Sequence, residues 1–207
     1  MIRVKNFVAV LIILTCGLIN RISDAEQITT DPGSAGFHTV ADIRFSIPKG
    51  YVYLDKVSNE DTSVLSHKQY PIGIVVKRVV TKLDEKDATS LAAGILQRYL
   101  SDKRPFEWKR LEGDIAISKF EVQTERFLGF NGARQALFQF RIVEAKMRKV
   151  LVGYFACPSA KPDDKERFDS GLGFDCACWY SQAHIIASIT GESYDSIMHP
   201  GGIPGPR

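Results

Sequence analysis

The residues best suited to chemistry sit late in the chain. Asp175-Cys176-Ala177-Cys178-Trp179 sets two thiols beside an indole, and His184 follows. A thiol nucleophile needs an imidazole nearby to hold it as thiolate. The papain pattern puts two residues between its cysteines and a histidine ~130 residues downstream. Here one residue separates the cysteines, and 29 residues follow Cys178. Thiol–disulfide exchange favours C-x-x-C, and this is C-x-C. No catalytic residue is assigned on this motif.

The other candidates are weaker. His38, His67, His184 and His199 form no zinc-ligand pair at i, i+2 or i+4. Asp163, Asp164, Glu166 and Asp169 cluster, but without the alternating oxygen ligands and central glycine of a calcium loop. Ser170-Gly171-Leu172-Gly173 lacks the lysine and helix of a phosphate cradle, and no serine lies in a G-x-S-x-G elbow. No metal and no cofactor are expected. A site assembled from dispersed residues, such as His184, Cys178 and a carboxylate, is the alternative left open.

Binding has better candidates. The polar stretch 158–175 holds two prolines, two glycines and three large apolar residues, Phe168, Leu172 and Phe174. These either close over the core or dock a protein partner, and Trp179 beside them is a packed neighbour or an exposed anchor. Cys157, Cys176 and Cys178 are the disulfide candidates. Read as a strand, 176 and 178 face one way, so each would pair with Cys157 rather than with the other. Three free buried thiols are the alternative.

The elements that must position these residues are mostly strands. Ala41, Ile43, Phe45 and Ile47 alternate with polar residues, and Pro48-Lys49-Gly50 turns the chain into a short strand at 51–54. Residues 56–68 are polar and read as a surface loop. Residues 72–80 (IGIVVKRVV) read as a central strand. Ala88, Leu91, Ala92, Ile95, Leu96 and Tyr99 make one helical stripe after Asp84, Glu85 and Asp87, with Gly94 inside it as a point of close packing on the sheet. A phase change at Lys119 implies a bulge. Asn131-Gly132 and 144–146 mark hairpins that make a three-stranded meander running to Cys157. Residues 176–180 and 184–189 read as strands, and Thr190, with Ser193, as the cap of a short terminal helix.

The N-terminus reads as a secretory signal. Arg3 and Lys5 precede an apolar run over 7–19, and Ser23-Asp24-Ala25 ends in small residues. Thirteen residues fall short of the ~20 that span a bilayer, so no stable membrane span is expected after cleavage. Cys16 offers a lipid anchor instead, but Thr15 stands where a smaller residue is usual. The expected organisation is a signal peptide at 1–25, a flexible leader at 26–36, one α/β domain at 37–199 and a disordered tail at 200–207. The destination is exported, periplasmic or secreted. Beyond residue 25 the chain carries 24 basic and 23 acidic side chains, a balance that does not favour nucleic acid as a partner.

The fold class is α+β: a single domain with a twisted, mainly antiparallel sheet and packed helices. The segment Ile43-Arg44-Phe45-Ser46-Ile47-Pro48-Lys49-Gly50-Tyr51, the helix at 87–100 and Ile185-Ile186-Ala187-Ser188-Ile189 before a helix resemble the Mog1/PsbP-like family over 37–199. The resemblance implies an α/β/α sandwich and non-catalytic partner binding or assembly, with no shared catalytic residues. The expected function is therefore an exported, non-enzymatic protein that binds a protein partner in the cell envelope or periplasm. A secreted, hydrolase-like enzyme is the alternative.

Overall fold

The computed structural model describes residues 33–100, 105–111, 119–132, 134–156 and 174–198, with backbone only for 100, 134 and 174–178. Nine strands run in chain order: β1 (Ser34–Val40), β2 (Ile43–Pro48), β3 (Tyr51–Tyr53), β4 (Thr62–His67), β5 (Ile72–Val79), β6 (Glu107–Leu111), β7 (Glu121–Asn131), β8 (Arg134–Ala145) and β9 (Arg148–Ala156). The helices are α1 (Glu85–Leu100), α2 (Phe174–Thr190) and α3 (Tyr194–Met198), with a 3-10 turn at Asp55–Val57. β3 to β9 form one antiparallel sheet in the order β3-β4-β5-β9-β8-β7-β6, and β1 and β2 form a separate ribbon.

Both faces of the sheet are covered, so its inner strands are apolar in both phases. On one face Ile72, Ile74, Val76, Val150, Val152 and Tyr154 pack with the ribbon's Val40, Ile43 and Phe45 and with Ile185, Ile186 and Ile189 of α2. On the other, Val75, Phe138, Phe140, Leu151 and Phe155 pack under Ala88, Ala92, Ile95 and Leu96 of α1. Asp84 caps α1 as its charge pattern implies, its Oδ1 accepting the Asp87 N–H at 2.7 Å.

Several expectations change. Residues 56–68 are not a surface loop: they hold β4, whose Thr62, Ser63, Val64 and Leu65 are buried. Small hydroxyl residues look exposed in a sequence but fit a covered strand, and Thr62 Oγ1 accepts the Lys77 ammonium at 3.1 Å. Ala41 lies in the β1–β2 turn with φ 46° rather than in a strand. β1 begins at Ser34, so positions 34–36 of the expected leader are strand. The register break lies between Glu121 and Gln123, not at Lys119. Asn131 pairs with Arg134 as the last residue of β7, so Gly132, at φ 59°, rather than Asn131 opens the turn. Ser193, not Thr190, caps α3, accepting the Ser196 N–H at 3.1 Å.

The largest correction is α2. Residues 176–180 and 184–189 are one helix, not two strands. Ser181, Gln182, Ala183, His184, Ile185 and Ile186 are all buried, because the helix is wedged between the ribbon and the sheet. A helix buried all round has no single apolar stripe, and its β-branched run imitates a strand. Residues 176 and 178 therefore do not share a strand face.

Gly94 is also corrected. A Cβ there meets nothing within 4 Å, so no close approach requires glycine. Gly94→Ala is expected to raise unfolding free energy by about 0.5–1 kcal/mol. A higher urea midpoint at unchanged slope would show it; a lower midpoint would mean that the helix packs differently.

Candidate functional site

Interior strand β8 sends Leu137, Gln139, Arg141 and Val143 toward the face that α2 covers. Leu137 and Val143 join the core, but Gln139 and Arg141 carry polar groups into it. Buried polar groups must find partners. The Arg141 side chain is 3% exposed and lies 2.9 Å from Glu121 Oε2, whose side chain is 1% exposed. The same Arg141 nitrogen donates to Thr124 Oγ1 at 3.3 Å, and Thr124 donates to Glu121 at 2.8 Å. Arg141 Nε donates to Gln182 Oε1 at 3.1 Å, and Gln182 Nε2 donates to the Val152 carbonyl at 2.6 Å. Trp179 lies against the guanidinium, its ring centroid 4.6 Å from Cζ. Nearby, the Tyr154 hydroxyl donates to Gln139 Oε1 at 2.8 Å.

The register break in β7 brings this cluster together. Thr124 lies opposite Arg141, while the extra residue at 122 returns Glu121 to the same face, opposite Val143. The cluster ties three strands to α2 through charge-assisted hydrogen bonds. Its donors are aimed at protein acceptors, and it holds α2, and Trp179 with it, in one register on the sheet.

His184 lies one turn further along α2. Its Nε2 is 2.9 Å from Ser46 Oγ on the ribbon. Ser46 Oγ donates to Ser34 Oγ at 2.7 Å, and Ser34 donates to the Gly36 carbonyl at 2.9 Å. A carbonyl can only accept, so each proton in the chain is committed in that direction and His184 Nε2 must be the donor to Ser46. A histidine acting as base toward a serine needs the opposite direction. This contact staples the helix to the ribbon, as does the Ser46 N–H to Ser188 Oγ bond at 3.0 Å.

Two further histidines sit among aromatic rings. His67 Nδ1 accepts the N–H groups of Gln69 and Tyr70 at 3.1 and 3.3 Å, and the ring lies 5.0 Å from Tyr51 and 4.8 Å from Tyr70. His38 lies 4.2 Å from Tyr53 and 5.7 Å from Phe45. Burial holds both below the ordinary histidine value of 6.5. The unfolded chain therefore takes up protons first, and stability is full above about pH 6.5 and declines as pH falls through the folded values. The urea midpoint is expected to drop between roughly pH 7.5 and 5.5, and less so in His67→Asn, whose Oδ1 can accept the same N–H groups. Parallel profiles for parent and variant would remove His67 as a cause.

Of the residues singled out from the sequence, Trp179 lies half-buried on α2. Phe174, Cys176 and Cys178 fall on its first turns, with side chains outside the described set. Phe168, Leu172, Cys157, Cys16, His199 and the acidic run at 163–169 lie outside the described residues. Among those described, no three His, Cys, Asp or Glu side chains gather as metal ligands, and no helix is long and apolar enough to cross a membrane. Sequence reading missed Arg141, Glu121, Thr124 and Gln182. The available signal was Leu137 and Val143 sharing a phase with Gln139 and Arg141, which marks that phase as covered.

No family model and no curated protein matches this chain. Among solved structures, it is similar to a point mutant of protein Mog1, at 11% identity and TM-score 0.44, over 72% of this chain and 90% of that one. It is also similar to the Saccharomyces cerevisiae Ran-binding protein Mog1p, at 13% identity and TM-score 0.42, over 70% and 88%. The exported, periplasmic or secreted destination is corrected by this comparison. The envelope setting of the expected partner is withdrawn with it. What this chain has in common with these structures is the fold, a multi-stranded antiparallel sheet with packed helices in a Mog1-like topology.

Proposed function

We propose that this chain is a non-enzymatic protein-binding domain whose contact surface lies at the start of α2 and in the stretch before it. Trp179 carries the reading. One face of its indole is pinned to Arg141, itself held by Glu121 and Gln182, while the residue stays partly exposed. A large aromatic side chain fixed in one rotamer before a partner arrives loses little entropy on binding, which is how interface anchors work. Phe168, Leu172 and Phe174 precede it in the chain and are the apolar residues proposed to meet the partner with it. One of the structural neighbours is a Ran-binding protein. The hydrolase alternative gains nothing from His184, whose Nε2 proton is committed to Ser46.

The test is photocrosslinking from the full chain in its native cells, with probes at 168, 172 and 179 and a control probe at Thr89 on α1. A stoichiometric partner captured at the first three positions and not at the control supports the reading. Equal capture at all four, or capture unaffected by Phe168→Ser/Leu172→Ser in a chain with an unchanged melting midpoint, would sink it.

A further inference from the structure

β6 is the last strand of the sheet. One side pairs with β7, and among the described residues nothing pairs with the other. An open strand edge is a template for another strand, and folded proteins usually blunt it with charge. β6 reads Glu107-Trp108-Lys109-Arg110-Leu111, with Glu107, Lys109 and Arg110 exposed. These charges do not simply blunt the edge. Glu107 and Lys109 are two apart, on one face and opposite in sign, with Trp108 between them on the other.

We propose that β6 pairs antiparallel with β6 of a second copy of this chain, about a two-fold axis at Trp108. Side-chain parity allows a strand to meet its own copy only about a residue, not between two. Pairing about Lys109 sets lysine opposite lysine, and pairing about Arg110 sets arginine opposite arginine; both are repulsive. Pairing about Trp108 sets Glu107 opposite Lys109 of the second copy twice, and indole opposite indole. It also sets Phe106 opposite Arg110 twice. The Arg110 guanidinium edge is engaged by Glu125, with Nε 2.6 Å from Oε2 and Nη2 2.8 Å from Oε1. That leaves its planar face for an aromatic ring. The Trp108 ring packs over Gly129, its partner across the ladder on β7. The occupant is thus chosen by charge: of the pairings centred on Glu107, Trp108, Lys109 and Arg110, only that about Trp108 sets unlike charges opposite each other. An interface this short falls below the ~1,600 Å² of typical stable complexes, so the dimer is weak and reversible.

The experiment is sedimentation equilibrium of the full chain over a dilution series, with Lys109→Glu and the exchange Glu107→Lys/Lys109→Glu alongside. The parent is expected to move from one chain mass to two as concentration rises. Lys109→Glu replaces two attractive pairs with two repulsive ones and should weaken association by about tenfold or more. The exchanged double variant should return to within about threefold of the parent. A carbodiimide crosslink between Glu107 and Lys109, found between isotopically light and heavy chains, fixes the register. A single chain mass at all concentrations overturns the proposal. So does a dimer indifferent to Lys109→Glu, a double variant that stays weak while folded by circular dichroism, or a light–heavy crosslink absent from a parent of doubled mass. The purified chain alone answers, so failure here leaves the Trp179 surface untouched, and the reverse.

Discussion

Arg141→Ala is expected to lower the free energy of unfolding by about 3–5 kcal/mol, the loss seen when one member of a buried ion pair is removed. Glu121, with its side chain 1% exposed, would keep the Thr124 hydroxyl but lose the charge that compensates it. Gln182 Oε1 would lose the donor on which it rests, and the indole of Trp179 its cationic floor. The pair itself need not be worth that much, because two charges were taken from water to make it. Replacing both, Arg141→Met with Glu121→Met, is therefore expected to recover most of the loss. The cycle of Arg141→Ala, Glu121→Ala and the double variant should give a coupling of about 2 kcal/mol or more by denaturant titration. A loss under about 1 kcal/mol for Arg141→Ala would mean that water reaches Glu121, and the cluster would then not hold α2.

That cluster marks where reading the sequence stops. The α1 stripe, the hairpins closing β7–β8 and β8–β9 and the alternation in β2 were legible because each depends on local period or turn chemistry. The antiparallel, helix-covered sheet followed from them. α2 was not legible, because its surroundings bury it on every side and leave the pattern of a strand. β4 was missed because Thr62, Ser63 and Ser66 read as polar surface, while Val64 and Leu65 are buried by α1 and the ribbon, elements distant in the chain. β6 carries only Trp108 and Leu111 as apolar signal, so its strand state rests on β7. Arg141 alternates with Phe140 and Ile142 in sequence, as the polar phase of a half-exposed strand would. Its burial is set by Glu121 and Gln182, one reached through a register break and the other through a helix that the sequence disguised. Trp179 was legible as a residue type, but its fixed orientation depends on the same cluster.

Gly73→Ala is the second large effect expected, a loss of about 2–3 kcal/mol from overpacking. Gly73 lies directly across the β5–β9 ladder from Phe155, and both are buried. A Cβ at 73 would stand 2.3 Å from Phe155 Cζ and 2.8 Å from the Leu65 carbonyl oxygen. The ring cannot retreat, because Tyr99 of α1 meets it edge-on at 4.8 Å and is itself tethered by a 2.9 Å hydrogen bond to Ser66. Phe155→Leu alone should cost about 1–2 kcal/mol as lost packing. Combined with Gly73→Ala it should cost clearly less than the sum, since the shorter side chain removes the worse of the two collisions. The Leu65 carbonyl belongs to the backbone of β4 and stays where it is, so the rescue is partial. Additive losses in thermal or urea unfolding would show that the carbonyl collision, not the ring, is what forbids a side chain at 73.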